Sequence, residues 1–209
     1  MNERTLVIET STSQGSLALF DGENLVRSES FAATRSHSAR LFVLLEQFLA
    51  DEPRRPGTIV VGLGPGSYAG VRIAIAAAIG LGLATGARLV GLSSLAGLGD
   101  GSYLALGDAR RDTFYFATVR EGAGIAQEDG PRLLDAETLA ATLASETWRG
   151  WPIRASEPLA IAPGAEIVFP CAQRLGRLAL AGKGQLFFDQ LEPIYLREAH
   201  ITRPKKPSK

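Results

Sequence analysis

Three stretches of this chain hold residue types at a spacing that can do chemistry. Glu9-Thr10-Ser11-Thr12-Ser13-Gln14-Gly15 gathers a carboxylate, four hydroxyls and a glycine in one short segment. Hydroxyls and free amides in a tight turn can cradle an anion, although Ser/Thr/Gly turns are common for purely conformational reasons. Gly64-Pro65-Gly66-Ser67 stands where an apolar strand gives way to a helix, and amides at a helix start also attract anions. The details miss the common nucleotide motifs. There is no Lys for a Walker loop, Gly70 falls one residue late for the dinucleotide fingerprint, and no acidic residue ends the following strand. Gly64, Pro65, Gly66, Ser67, Gly70 and Arg72 therefore read as a structural strand-to-helix turn. The third stretch, Asp108-Ala109-Arg110-Arg111-Asp112, is a second polar turn resembling the first. Metal chemistry is poorly supplied, because His37 and His200 are the only histidines and are not at ligand spacing. Cys171 follows Pro170 among apolar residues and reads as a small buried hydrophobe rather than a nucleophile.

The elements that position these stretches follow from periodicity. Thr5 to Ile8, Ser16 to Phe20 and Leu25 to Phe31 read as an antiparallel meander. A helix from Ala39 to Ala50 places Leu41, Leu44, Leu45, Phe48 and Leu49 on one face and leaves Phe42 and Val43 off it. Thr58 to Leu63 is the central strand, and after Arg72 the next helix carries no charge through Leu83. A helix apolar on all sides must be covered on all sides. At about 100° per residue, Ile75, Ile79 and Leu83 form one stripe while Ile73, Ala77 and Leu81 lie nearly opposite. The first stripe is expected on the sheet; the second then needs a neighbour. A membrane span is the rival, but the uncharged run from Ile73 to Ala87 is shorter than the ~18 residues a bilayer demands. Arg88 to Leu92 completes a parallel crossover. Tyr103 to Leu106 and Thr113 to Val119 then repeat the opening, with Asp108 matching Glu9, which predicts an internal duplication. Helices at Asp135 to Glu146 and Pro170 to Ala181, with a weak strand at Glu166 to Phe169 between them, follow. The expectation is two similar α/β domains, 1–98 and a smaller, less regular 99–209, with 203–209 a solvated, disordered tail.

At 209 residues and 45% hydrophobic content the chain can build a full core. With 22 basic and 22 acidic residues it has no overall field to gather nucleic acid or an anionic membrane, so any such contact must be local or belong to a partner. Met1 to Thr5 leads into a strand with no apolar signal region, and a lone cysteine excludes an internal disulfide, which together point to the cytoplasm.

Taken together, Ile8-Glu9-Thr10-Ser11-Thr12, Arg35-Ser36-His37-Ser38, Gly64 to Ile73, Ser93-Ser94-Leu95, Asp108-Ala109-Arg110-Arg111 and Pro193-Ile194-Tyr195-Leu196-Arg197 resemble the TsaB family, formerly called YeaZ. The likeness is collinear over nearly the whole chain. It implies the actin-like ATPase fold of the Hsp70 and sugar kinase superfamily, in which two duplicated domains with mixed sheets flank a nucleotide cleft. It further implies a companion of TsaD, the enzyme that attaches threonylcarbamoyl to adenosine in tRNAs reading codons that begin with A, with the small ATPase TsaE completing the complex. Glu9 stands where the family carries Asp, and Asp108 to Arg111 lacks the glycines with which active members of the superfamily let the backbone approach phosphate. These departures suit a non-catalytic scaffold with no catalytic or metal-binding residues and no cofactor of its own, ATP/ADP and a metal ion belonging to the partner or to a shared interface.

On that reading Arg35, His37, Phe42, Val43, Ile73, Ala76, Ala77, Gly80, Leu81 and Ala84 form the partner surface, serving TsaD or, in isolation, a homodimer. Glu9, Thr10, Ser11, Thr12 and Asp108 are weak nucleotide candidates. They carry the rival hypothesis, a stand-alone actin-like ATPase or sugar kinase. A dinucleotide enzyme would require a ribose-binding carboxylate that is missing.

Overall fold

The computed structural model describes residues 3–32, 37–50, 52, 54–122, 125–182, 187–188 and 191–196. Arg35, the His37 side chain, His200 and the tail 203–209 lie outside the described residues.

Strands β1 (Arg4–Glu9), β2 (Gln14–Asp21) and β3 (Asn24–Ala32) form the antiparallel meander, with Glu9 opposite Ser16 and Gln14 opposite Ala32. Helix α1 (His37–Ala50) leads to β4 (Thr58–Gly62), helix α2 (Tyr68–Thr85) and β5 (Arg88–Leu92). Both crossovers are parallel, β4 pairing with β1 and β5 with β4. A single 3-10 turn, Ser94–Gly97, capped by the Ser93 side chain, ends this half. The second half runs β6 (Tyr103–Asp108), β7 (Thr113–Gly122), β8 (Ile125–Asp135), helix α3 (Ala136–Leu143), a 3-10 turn at Glu146–Trp148, β9 (Ile153–Ala155), β10 (Glu166–Ile167), helix α4 (Ala172–Leu180) and β11 (Phe187–Phe188).

The expected duplication is present in the topology. The first sheet is ordered β11-β5-β4-β1-β2-β3 and the second β10-β9-β6-β7-β8, so apart from β11 each strand of one has its counterpart in the other. What the second half lacks is a helix between β9 and β10, where residues 156–165 run as loop and turn. In place of that helix, Leu159, Ala162 and the half-buried Ile161 fold back against Leu104, Leu106 and Phe116.

Alternation along the strands divides the first sheet between two cores. Leu6, Ile8, Leu17, Leu19, Ile59 and Val61 face α1 and α2. Val7, Ala18, Phe20, Val60 and Val90 face the other way, toward α4. That second core also takes in Tyr103, Ala105, Tyr115, Ala117 and Val119 of the second sheet, so the two sheets share one apolar interior. Although α4 and β11 belong to the second half of the chain, α4 packs on β1 and β2, and β11 extends the first sheet beside β5.

By length and composition alone α2 would pass for a membrane span. Instead it packs on the sheet, burying Gly70, Val71, Ala74, Ile75, Ala77, Ala78 and Gly82. This phase corrects the sequence expectation. Ala77 is only 6% exposed, and Ile73 and Leu81 pack half-buried against the same core, whereas Ile79 and Leu83, expected on the sheet, are 41% and 85% exposed. The reason is close approach. Ala74, Ala78 and Gly82 recur at intervals of four residues and let the helix axis come near the strands, and a β-carbon on Gly82 would already press on Leu89 at 3.0 Å. With no polar residue along this stretch to mark the outside, size rather than hydropathy sets which side faces inward.

Candidate functional site

The polar turns of the two halves meet at one cleft of about 840 Å³. Ser11, Thr12 and Ser13 line it from the β1–β2 turn, Gly66 to Ala69 from the start of α2, and Asp108, Ala109 and Arg110 from the β6–β7 turn. Tyr115, Ser156 and Glu157 add the far wall, and Pro193 to Leu196 close one side. That closing segment is tied down by the amide of Ile194 donating to the Leu63 carbonyl at 2.8 Å, and by Tyr195 packing on Tyr68 with ring centroids 5.6 Å apart.

Glu9 and Thr10 are not part of the lining; they are 0% and 2% exposed. The Glu9 carboxylate turns inward, accepting from the Ser11 amide at 2.6 Å and from the Ser94 hydroxyl at 2.6 Å. Burial pushes its carboxyl above the ordinary value of 4.5, opposed by these hydrogen bonds. Ser94 in turn accepts from the Gly64 amide at 2.9 Å, and the Gly64 carbonyl accepts from the Ser94 amide at 2.8 Å. Glu9 is thus a staple between β1 and the glycine turn ahead of α2. A β-carbon on Gly62 would overlap its carboxylate, which explains the glycine at the end of β4.

The Gly64 to Gly70 turn owes its composition to close packing. Gly66, at φ +156°, and Gly70 both press against backbone carbonyls of the first turn, where a side chain would overlap Ser11 and Thr10 respectively. The Ser67 amide donates to the Ser11 carbonyl at 2.6 Å, while the Ser67 hydroxyl accepts from the Gly70 amide at 3.1 Å and caps α2. Thr10 donates to the Gly70 carbonyl at 2.8 Å. Arg72 points outward, stacks over Tyr68 at 5.0 Å and donates to its hydroxyl.

Across the cleft, Arg110, Arg111 and Asp112 occupy the left-handed region at φ 66°, 56° and 55°, a conformation costly for non-glycine residues. The Asp108 carboxylate accepts from the Arg110 amide at 2.6 Å and pairs with its guanidinium at 3.0 Å. Glu157 accepts from the Asp108 amide at 3.0 Å, and burial followed by the Glu157 charge pushes the Tyr115 phenol upward. In this turn Asp108 and Arg110 satisfy each other. Among the described residues no three His, Cys, Asp or Glu side chains stand together as a metal site.

The second feature is the outward side of α1 and α2. Tyr68, Ala69, Arg72, Ala76, Ile79, Gly80, Leu83 and Ala84 are all exposed along α2. On α1, Phe42 is 51% and Val43 44% exposed, while Leu41, Leu44, Leu45 and Phe48 are buried. Of the residues expected to meet a partner, the structure exposes Phe42, Val43, Ala76, Gly80 and Ala84, and withdraws Ile73, Ala77 and Leu81. It adds Ile79 and Leu83, which sequence reasoning placed on the sheet.

The family model described as tRNA N6-adenosine threonylcarbamoyltransferase (TsaD) matches residues 31–134. The tRNA threonylcarbamoyladenosine biosynthesis protein TsaB of Escherichia coli K12 is 26% identical over 231 residues, covering 99% of each chain. TsaB of Haemophilus influenzae is 28% identical over 130 residues, 56% of this chain and 54% of that one. The solved structure of YeaZ from Pseudomonas aeruginosa superposes with a TM-score of 0.72 at 25% identity, covering 93% of this chain and 100% of that one. The chain resembles the TsaB (YeaZ) family in sequence and in architecture, and its paired mixed sheets have the actin-like ATPase fold.

Proposed function

We propose that this chain, like the TsaB proteins it resembles, serves the formation of threonylcarbamoyladenosine in tRNA, as a scaffold subunit with no catalytic groups of its own. It presents the outward side of α1 and α2 to a catalytic partner of the TsaD kind, and TsaE joins the assembly. ATP or ADP and any metal ion belong to the partner or to the surface the two share, and the complex works in the cytoplasm. The observation that carries this reading is α2, in which Leu83 is 85% and Ile79 41% exposed on a helix with no charge between Arg72 and its end. The small exposed positions Ala76, Gly80 and Ala84 let a facing helix come close. A second copy of this chain would compete for the same surface when the partner is absent.

Two further observations support a scaffold over an enzyme. Kinase-like members of a two-lobed fold close around substrate, yet here the lobes are joined by a common apolar core. In addition, Asp108 and Arg110 neutralise each other where a phosphate clamp would be needed. The deciding experiment is Leu83→Glu. An uncompensated charge buried in an interface costs several kcal/mol, weakening a complex roughly a thousandfold. Unchanged circular dichroism with loss of co-purification and of modified tRNA in cells is expected. An intact complex would place the partner elsewhere.

The cleft of about 840 Å³ favours one alternative, a stand-alone ATPase or sugar kinase. Steady ATP turnover by the isolated chain, lost in Asp108→Ala, would establish that alternative and overturn the scaffold.

A further inference from the structure

The face of the second sheet that looks away from the shared core carries an arrangement the partner reading does not use. Phe116, Thr118 and Arg120 follow one another on the same side of β7, above Leu104 and Leu106 of β6. The 3-10 turn after α3 brings Trp148 to Phe116, ring centroids 6.0 Å apart, and Trp151 to Trp148 at 5.3 Å in an edge-on contact. The Arg120 guanidinium lies over both indoles, 5.4 Å from Trp148 and 4.9 Å from Trp151. Arg132, opposite Phe116 on β8, stacks over that ring at 5.6 Å. Arg120 and Arg132 are exposed, the indoles half-buried, and Arg149 stands exposed beside Trp148, paired with Glu146. Neither Arg120 nor Arg132 has a carboxylate within ion-pair distance among the described residues. Beneath them Thr118 is 1% exposed and its Oγ1 has no hydrogen-bond partner.

We infer that this surface binds unpaired nucleotides of an RNA chain. Flat cations and indole rings are what bases stack on, and such stacking tolerates any base because every base has a π-face. Arg120 and Arg132, with no carboxylate partner among the described residues, can reach adjoining phosphates with two donors each. A chain with 22 basic and 22 acidic residues gathers no polyanion by its overall field, so a nucleic-acid contact has to be local, and Arg120 and Arg132 supply it. The surface belongs to the second sheet, whereas the proposed partner face belongs to the helices of the first, so one can fail without the other.

Trp148 and Trp151 are the only tryptophans of the chain, which makes its intrinsic fluorescence a direct reporter of this surface. The full chain, without any partner, is titrated with an unstructured oligoribonucleotide of about ten residues, a length within the range that stacking folds occupy. Saturable quenching is expected, weakening as salt is raised because phosphate contacts release counterions. Arg120→Glu and Arg132→Glu should each lower affinity at least tenfold with unchanged circular dichroism. Arg120→Lys, which keeps the charge and loses the planar stack, should lose part of it. Arg177→Glu, exposed on α4, is the control and should bind as the parent does. Absence of quenching at low salt would overturn the inference. So would binding that survives Arg120→Glu, or a base-free polyanion such as heparin matching the oligonucleotide in quenching and affinity. A protein ligand captured on this face in place of RNA would overturn it as well.

Discussion

Replacing Gly62 by Ala should be among the most damaging single changes in the first lobe, and Glu9→Asp should relieve it. The added methyl has nowhere to go: it would overlap the Glu9 carboxylate and stand 2.7 Å from the Ser94 hydroxyl. Overpacking of a tight interior costs about 1–3 kcal/mol. Displacing the carboxylate from Ser94 or the Ser11 amide loses a charge-assisted bond, adding roughly 1.5–3 kcal/mol. Gly62→Ala is therefore expected to cost about 3–5 kcal/mol. Glu9→Asp alone withdraws the carboxylate by one methylene and gives up the same bonds, costing about 2–3 kcal/mol. In the double variant the shorter acid leaves room for the methyl, so the losses overlap and the total should fall short of the sum by roughly 1–3 kcal/mol. Urea unfolding read by circular dichroism measures all four proteins, with midpoint shifts at constant slope giving the stability differences. Costs additive to within about 0.5 kcal/mol, or a harmless Gly62→Ala, would refute the staple.

The corrected phase of α2 makes Ala77→Glu and Ala76→Glu differ: the first buries a charge in the core and should prevent folding, the second should leave circular dichroism unchanged and weaken the partner complex. Since burial raises the Glu9 carboxyl in the folded chain, its contribution to stability is greatest in acid and declines as pH rises from about 4.5 through the folded value. Glu9→Gln should flatten that decline in thermal melts taken across pH, and an unchanged profile would show that Glu9 does not titrate there. Ser67→Ala removes the cap of α2 and should cost about 1 kcal/mol in urea unfolding.

Much of the first half was legible because each of its elements carries its own pattern. The meander alternates, α1 has a one-sided stripe, and the turn from Gly64 to Gly70 could be read as close packing from its glycines. The second half hid three strands. β8 is a polar edge strand broken by Gly130-Pro131, with a register shift against β7, and β9 and β11 run for only three and two residues. Such segments owe their conformation to neighbours already in place rather than to a local period. The site was legible in part: hydroxyl-rich turns point to a cleft, but nothing in Glu9-Thr10-Ser11-Thr12 says which side chains turn away from it. Four residues scattered from Arg120 to Trp151 have no common spacing at all, so the stacked surface on the second sheet could be seen only once the chain was folded.

The core common to both sheets also bears on how a duplicated chain ages. A copied domain begins as a unit that can fold by itself, but here the cover of the first sheet, Ala172, Leu175 and Leu178 of α4, is encoded some eighty residues beyond the end of that sheet's β5. A fragment ending at Leu98 would leave Val7, Ala18, Phe20 and Val60 bare to water and should be recovered only as aggregate. Supplied with the remainder of the chain as a separate polypeptide, it should regain solubility by complementation. The first half has given over part of its cover to the second, and neither can now be inherited, lost or borrowed without the other.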